Sequence, residues 1–150
     1  MISKKTKYAL KALTTLGEEY DKKQSILISD LAAKDRIPKK FLELILLELK
    51  NNGILHSKQG KGGGYRLAKP PRQIKLGSIM RILEGPLSPV PCLSRTAYRK
   101  CDDCEDENTC SIRMVMKDLH EATISILDGT SLEDMIERSK KLQTSEMYFI

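Results

Sequence analysis

From Ser29 to Leu67 the chain follows a pattern that few folds accommodate. Two helix-forming stretches meet at a short turn, Asp35–Arg36–Ile37. Two short strand-forming stretches then flank Lys58–Gln59–Gly60–Lys61–Gly62–Gly63–Gly64. In the second helical stretch, Pro38 to about Asn52, the residues Phe41, Leu42, Ile45, Leu46 and Leu49 recur at helical spacing and form one wide apolar face. Pro38 suits a helix's first turn, where its missing N–H has no partner, and Asn52–Gly53 reads as a stop. Strands are expected at Ile54 to Ser57 and at Tyr65 to Leu67. The glycines between them allow a tight hairpin whose backbone can approach a partner closely. This order implies a mainly α chain built on a winged helix–turn–helix with a small two-stranded wing.

The remaining elements follow from the same periodicities. Lys5 to Tyr20 reads as a helix, with Tyr8, Leu10, Leu13, Leu16 and Tyr20 at helical spacing and Ala9 and Ala12 as good formers between them. Gln24 to Ile28 reads as extended. Ser29 is the expected N-cap of a brief helix through Asp35, with Ile28 as its hydrophobic staple. Leu76 to Glu84 reads as a helix carrying Leu76, Ile79, Met80 and Leu83 on one side. Gly85 to Thr109, rich in Pro, Cys and acidic residues, reads as loop. From Ser111 to about Leu127 a narrow seam of Ile112, Val115, Met116, Leu119, Ala122, Thr123 and Ile126 fits a helix paired with another helix. Ser131 is placed to cap a last helix from Leu132 to about Leu142. The expected organisation is therefore a winged helix–turn–helix over 1–84, a cysteine-rich cluster-binding loop over 85–110, a dimerisation helix and C-terminal helix over 111–142, and a tail over 143–150.

Charge separates the chain into two halves. Residues 1–72 hold 16 Lys/Arg against 7 Asp/Glu, a net of +9, and residues 73–150 hold 10 against 13, a net of −3. The basic half carries the helix–turn–helix pattern, a polarity that suits a phosphate backbone. No run approaches the roughly 20 apolar residues that cross a bilayer, and the first residues begin no secretory stretch, so the expected compartment is the cytoplasm, with no membrane partner. The two histidines, His56 and His120, have no triad-like setting, and no acid–base pair is evident, so an enzyme is not expected.

A recognition helix needs one apolar face for anchorage and one polar face for the major groove. The helix from Pro38 has both, and Lys39, Lys40 and Glu43 are its candidate readers. Phosphate repels a carboxylate, so Glu43 fits if it accepts from a cytosine amino group or orients a neighbouring lysine. The hairpin offers a second contact through Lys58, Gln59, Gly60, Lys61 and Gly62, suited to a minor groove and its phosphates. The expected partners are a double-stranded DNA operator and a second copy of the chain.

All four cysteines fall within nineteen residues: Cys92, Cys101, Cys104 and Cys110. In a reducing compartment such a group points to metal or redox chemistry more than to disulfides. Cys101 and Cys104 can place two sulfurs on one metal from a tight turn, with Cys110 at a helix start and Cys92 as a possible fourth ligand. Four thiolates suit a 2Fe–2S or 4Fe–4S cluster, or less readily zinc. The neighbouring Asp102, Asp103, Glu105, Asp106 and Glu107 oppose this by raising thiol pKa values. A metal-free thiol switch, and a small metal-carrying protein docking an acidic partner, are the competing readings.

The segments Lys5–Thr6–Lys7–Tyr8–Ala9–Leu10, Ile37–Pro38–Lys39–Lys40–Phe41–Leu42–Glu43 and Gly60–Lys61–Gly62–Gly63–Gly64–Tyr65–Arg66–Leu67 resemble the Rrf-type winged-helix regulators, which include the IscR, NsrR and CymR groups. The resemblance runs from about residue 1 to about residue 140, and the wing is its most specific part. It implies a dimeric bacterial transcription factor with one helix in the major groove and the wing in the minor groove. It also implies an iron–sulfur cluster held by loop cysteines, with Cys104 and Cys110 matching the last two. The pattern departs at its start: one cysteine is extra, and the fourth-ligand histidine of the IscR group falls at Arg113. That role passes to Cys92, Cys101 or a residue of the partner subunit. The CymR group implies regulation without a metal.

Overall fold

The computed structural model describes residues 2–148. Helix α1 spans Lys4–Glu18 and begins at Ser3, whose Oγ accepts from the Thr6 N–H at 3.1 Å. Its buried face is Thr6, Ala9, Ala12, Leu13, Thr15 and Leu16. The two alanines are fully buried. Their small side chains do more than favour helix: they let neighbouring elements approach α1 closely.

Helices α2, Ile28–Asp35, and α3, Lys39–Asn51, form the helix–turn–helix. The start of α2 corrects the expected cap. Leu27 occupies the N-cap position without a side-chain bond, and Ser29 lies inside the first turn, exposed. Ile28 therefore belongs to the helix and is no staple ahead of it. The turn passes through Arg36, left-handed at φ 55°, and the Ile37 N–H donates to Ala32 O at 3.0 Å. Pro38 sits one residue earlier than expected, at the N-cap of α3. Leu42, Ile45, Leu46 and Leu49 face the core, as their spacing required, with Phe41 partly buried and edge-on to Tyr8.

After α3 the chain turns at Gly53, φ 76°, into strand β1, Leu55–Lys58, which pairs antiparallel with β2, Gly64–Leu67. Residues around Ile26 are extended and add one bridge to the sheet. Ile26 and Tyr65 exchange N–H···O bonds of 2.9 Å in both directions. A Cβ on Gly64 would run into the Ile26 carbonyl, so this crossing requires glycine.

Helix α4, Leu76–Glu84, has the expected bounds. Its last residue reaches back to the start of α1. The Glu84 carboxylate accepts from Ser3 N–H at 2.8 Å, Ser3 Oγ at 2.6 Å and Thr6 Oγ1 at 2.5 Å. These three bonds hold its pKa down at about 2. Helix α5 runs Ser111–Gly129 and α6 runs Leu132–Tyr148, past the expected end at Leu142. Positions 149–150 of the expected tail lie outside the described residues. Ser131 caps α6 as expected: its Oγ accepts from the Asp134 N–H at 3.1 Å, and the Asp134 carboxylate accepts from the Ser131 N–H at 2.8 Å.

Helix α6 folds back onto α1 and places Leu132 and Ile136 in the same core as Leu13, Ile45 and Ile79. Gly17 marks the close approach, since a Cβ there would meet Ile136 Cδ1 at 2.6 Å. No residue of α5 is buried. No described helix is long and apolar enough to cross a membrane.

Candidate functional site

The α3 residues expected to read DNA are on the surface. Lys39, Lys40 and Glu43 are all exposed, opposite the buried Leu42, Ile45, Leu46 and Leu49. The sequence reading missed two others. Leu44 is 66% exposed and Leu47 46%. With 3.6 residues per turn, Lys40, Leu44 and Leu47 share the line directly opposite the core, while Glu43 and Lys50 lie to its flank. The signal was present in the sequence, because Leu44 and Leu47 fall outside the spacing that the core face follows.

The wing tip is equally open. Lys58, Gln59, Gly60, Lys61 and Gly62 are exposed, and Gly63 beneath them is buried. Gly60 and Gly62 take φ of 81° and 73°, and the Gly63 N–H donates to Gly60 O at 3.0 Å. Residues with side chains rarely adopt such angles, so the bare, basic tip follows from the turn itself. His56 and Arg66 face each other across the base of the wing, both exposed. Lys58 and Lys61 make no ion pair among the described residues, which leaves their charge free for an anion.

The cysteine loop runs from α4 to α5 with two short 3-10 turns, Pro91–Leu93 and Glu107–Thr109. The first turn carries Cys92 and packs on α5. The loop is stitched by Arg99 N–H to Pro91 O at 3.2 Å, Ala97 N–H to Ser94 Oγ at 2.9 Å, and a Tyr98 hydroxyl bond to Glu107. Cys101 and Cys104 close a turn through Cys104 N–H to Cys101 O at 3.2 Å. Cys110 is the N-cap of α5, where its Sγ accepts from the Arg113 N–H at 3.4 Å. All four cysteines are free thiols; Cys101 is exposed and the others half-buried.

Burial pushes the Cys104 thiol above its ordinary pKa. Lys100 opposes this, and Cys110, Glu107 and Cys101 add to it. At Cys104, Glu107 acts in the direction expected of the acidic residues, but desolvation leads. As a donor set, four thiolates fit an iron–sulfur group. In this structure the thiols are not gathered into one such site. Among the described residues, no three His, Cys, Asp or Glu side chains are grouped so as to hold a metal ion. Arg113, at the position of the IscR-group histidine, has a buried Nε with no partner.

Beyond the loop, the far end of α5 is bonded to α4. Arg81 of α4 and Asp128 of α5 form a two-pronged ion pair at 2.8 and 3.0 Å. Gly77 makes room for it: a Cβ there would collide with the Asp128 carboxylate. The Leu76 N–H donates to Thr130 O at 3.0 Å, and the Leu132 N–H donates to Ile74 O at 2.8 Å. The end of α5 is thus fixed to α4 and the segment before it, while its start carries Cys110.

Residues 2–138 match the family Rrf2, "Iron-dependent Transcriptional regulator". The chain belongs to the Rrf2 family. An rrf2-like HTH-type transcriptional regulator of Rhodobacter capsulatus is 44% identical over 138 residues, 91% of this chain and 92% of that protein. The structure of CymR, "the Global Cysteine Regulator of B. subtilis", is similar at 29% identity and a TM-score of 0.76, covering 92% of this chain and 97% of that one. T. potens IscR is similar at 25% identity and a TM-score of 0.75, covering 95% of this chain and 90% of that one. This Rrf2 chain is therefore a transcriptional regulator with the winged helix–turn–helix fold.

Proposed function

We propose that this chain is a homodimeric regulator, not an enzyme, whose sequence-specific binding to an operator is modulated by chemistry at Cys92, Cys101, Cys104 and Cys110. An iron–sulfur cluster is the favoured modulator. The observation that carries the DNA-binding part is the pairing of an exposed α3 face with a bare, unpaired lysine-bearing wing tip in the basic half of the chain. The cluster part is supported by four soft donors in one loop and by the iron dependence in the family's description. The division of labour follows: 1–84 binds DNA, 85–110 carries the response, and 111–142 pairs the protomers, with α6 returning to brace α1.

Cluster loading requires the loop to draw its thiolates together, because they are not grouped in this structure. Such closure would act on the start of α5 while the Arg81–Asp128 pair holds its end. A change in the α5 angle changes the spacing of two recognition helices. Half-sites in simple dimeric helix–turn–helix complexes lie about 34 Å apart, so small rotations matter.

A second reading keeps the DNA binding and replaces the cluster with thiol oxidation. It is favoured by the same scattered, free cysteines and by the likeness to CymR. Two measurements test these readings. Salt-dependent, sequence-selective binding to duplex DNA is expected, and binding indifferent to sequence would remove the regulator reading. The absorbance of anaerobically purified protein is expected to show thiolate-to-iron bands. Their absence, with DNA binding sensitive to thiol oxidants, would establish the second reading.

A further inference from the structure

Resting on the reading of α3 as the major-groove helix, we propose that Leu44 and Leu47 are specificity-determining residues that contact the C5-methyl groups of thymines. Two leucines on the outermost line of a basic, solvent-facing helix are unusual neighbours for water. Leu44 is the more exposed, at 66%, and stands one turn from Lys40. No described element packs over that line; the elements adjoining α3 (α1, α2, α4 and β1) lie on its core side or its ends. The occupant that fits is set by the surroundings. Lys40 stands on the same line and Lys39 and Lys50 lie to one side of it, and none of the three makes an ion pair among the described residues. An apolar centre with unpaired lysines on its line and along one side complements a groove floor beside a phosphate wall.

On that floor the thymine methyl is the apolar feature that distinguishes a base pair for an alkyl side chain. A leucine makes no hydrogen bond there, so it disfavours cytosine and adenine amino groups, whose donors it would leave unpaired. Glu43, to the flank, is placed to accept from a cytosine amino group. The expected preference is thus for thymines under the middle of the helix, with a cytosine beside them.

The test uses the full-length chain and duplexes selected by it from a random pool. Each thymine of the preferred site is replaced in turn by deoxyuridine, which removes only the methyl. Loss of one buried methyl weakens binding about fourfold, or about 15-fold when both half-sites are changed. That loss is expected at one or two positions per half-site. That penalty is expected to vanish at one thymine in Leu44→Ala or Leu47→Ala, whatever the variant's own affinity. Both leucines are exposed, so helical circular dichroism should be unchanged and a folding defect is separable. A flat deoxyuridine scan in the wild type overturns the inference while leaving the regulator reading intact. So does a penalty that persists in both variants, or a change of oligomeric state without a change of base preference. Failure to select any preferred sequence removes the regulator reading and the inference with it.

Discussion

Replacing Leu119 by Asp should abolish pairing of the chain without unfolding it. Ile112, Val115, Leu119 and Ile126 are 66%, 62%, 53% and 65% exposed, spaced as one line along α5. Fully burying a side chain of this size gains about 1.5–3 kcal/mol, so covering the exposed part of each gains about 1–2 kcal/mol. Across two protomers the four positions supply about 8–16 kcal/mol, against an association cost of about 4–15 kcal/mol. A micromolar dimer needs a surplus of about 8 kcal/mol, which these four positions reach only toward the favourable end of both ranges, so each contact of the seam matters. An aspartate at 119 removes one contact and buries an unpaired charge, at about 3 kcal/mol or more, and symmetry repeats this on the partner. The loss of about 6 kcal/mol or more weakens the dimer by over about 10⁴-fold. Because α5 contributes nothing to the monomer core, circular dichroism should stay native. Sedimentation equilibrium at micromolar concentration is the assay. A wild-type monomer, or a Leu119→Asp dimer of undiminished affinity, would refute the reasoning.

Three further outcomes are expected. Gly64→Ala should lower thermal stability and DNA affinity together, since the added Cβ strikes the Ile26 carbonyl and the residue's φ of 127° disfavours a side chain; thermal melts and band shifts check it. The Glu84 carboxyl is held from its ordinary 4.5 down to about 2, so its bonds to Ser3 and Thr6 stabilise the fold above about pH 4.5 and are lost as pH falls toward 2. The gap in melting temperature between wild type and Glu84→Gln should therefore be full near neutrality and close through that window. Lys58→Ala or Lys61→Ala should weaken binding to all duplexes alike and flatten the dependence of affinity on salt; a sequence-selective loss would contradict this.

Periodicity located α3, α4, the wing and the cap of α6 because each rests on local rules: apolar spacing, glycine where φ is positive, and a Ser that reaches the third residue ahead. Local rules failed at Ser29, where tertiary packing drew Ile28 into the helix and left the cap to Leu27. They placed Ala9 and Ala12 in the helix but are silent on how near α6 approaches at Gly17, a distance no window of sequence contains. Helix α6 outran its expected end because its later turns are polar, and polar helices give no apolar spacing to follow. In the candidate site, charge and glycine revealed the wing. Leu44 and Leu47 stand among seven apolar residues of α3, and their exposure sets them apart from the buried Leu42, Ile45, Leu46 and Leu49. The four cysteines were plain in the sequence, yet their spacing did not convey that the loop leaves them apart.

The most direct test compares operator binding at one salt concentration by the chain with its loop cysteines in two states: loaded anaerobically with iron and sulfide, and stripped and reduced. A difference of about tenfold or more in affinity, abolished by Cys104→Ser or Cys110→Ser, is the expected result. Equal affinities across several selected operators, with thiol oxidation also without effect, would contradict control of DNA binding by the cysteine loop.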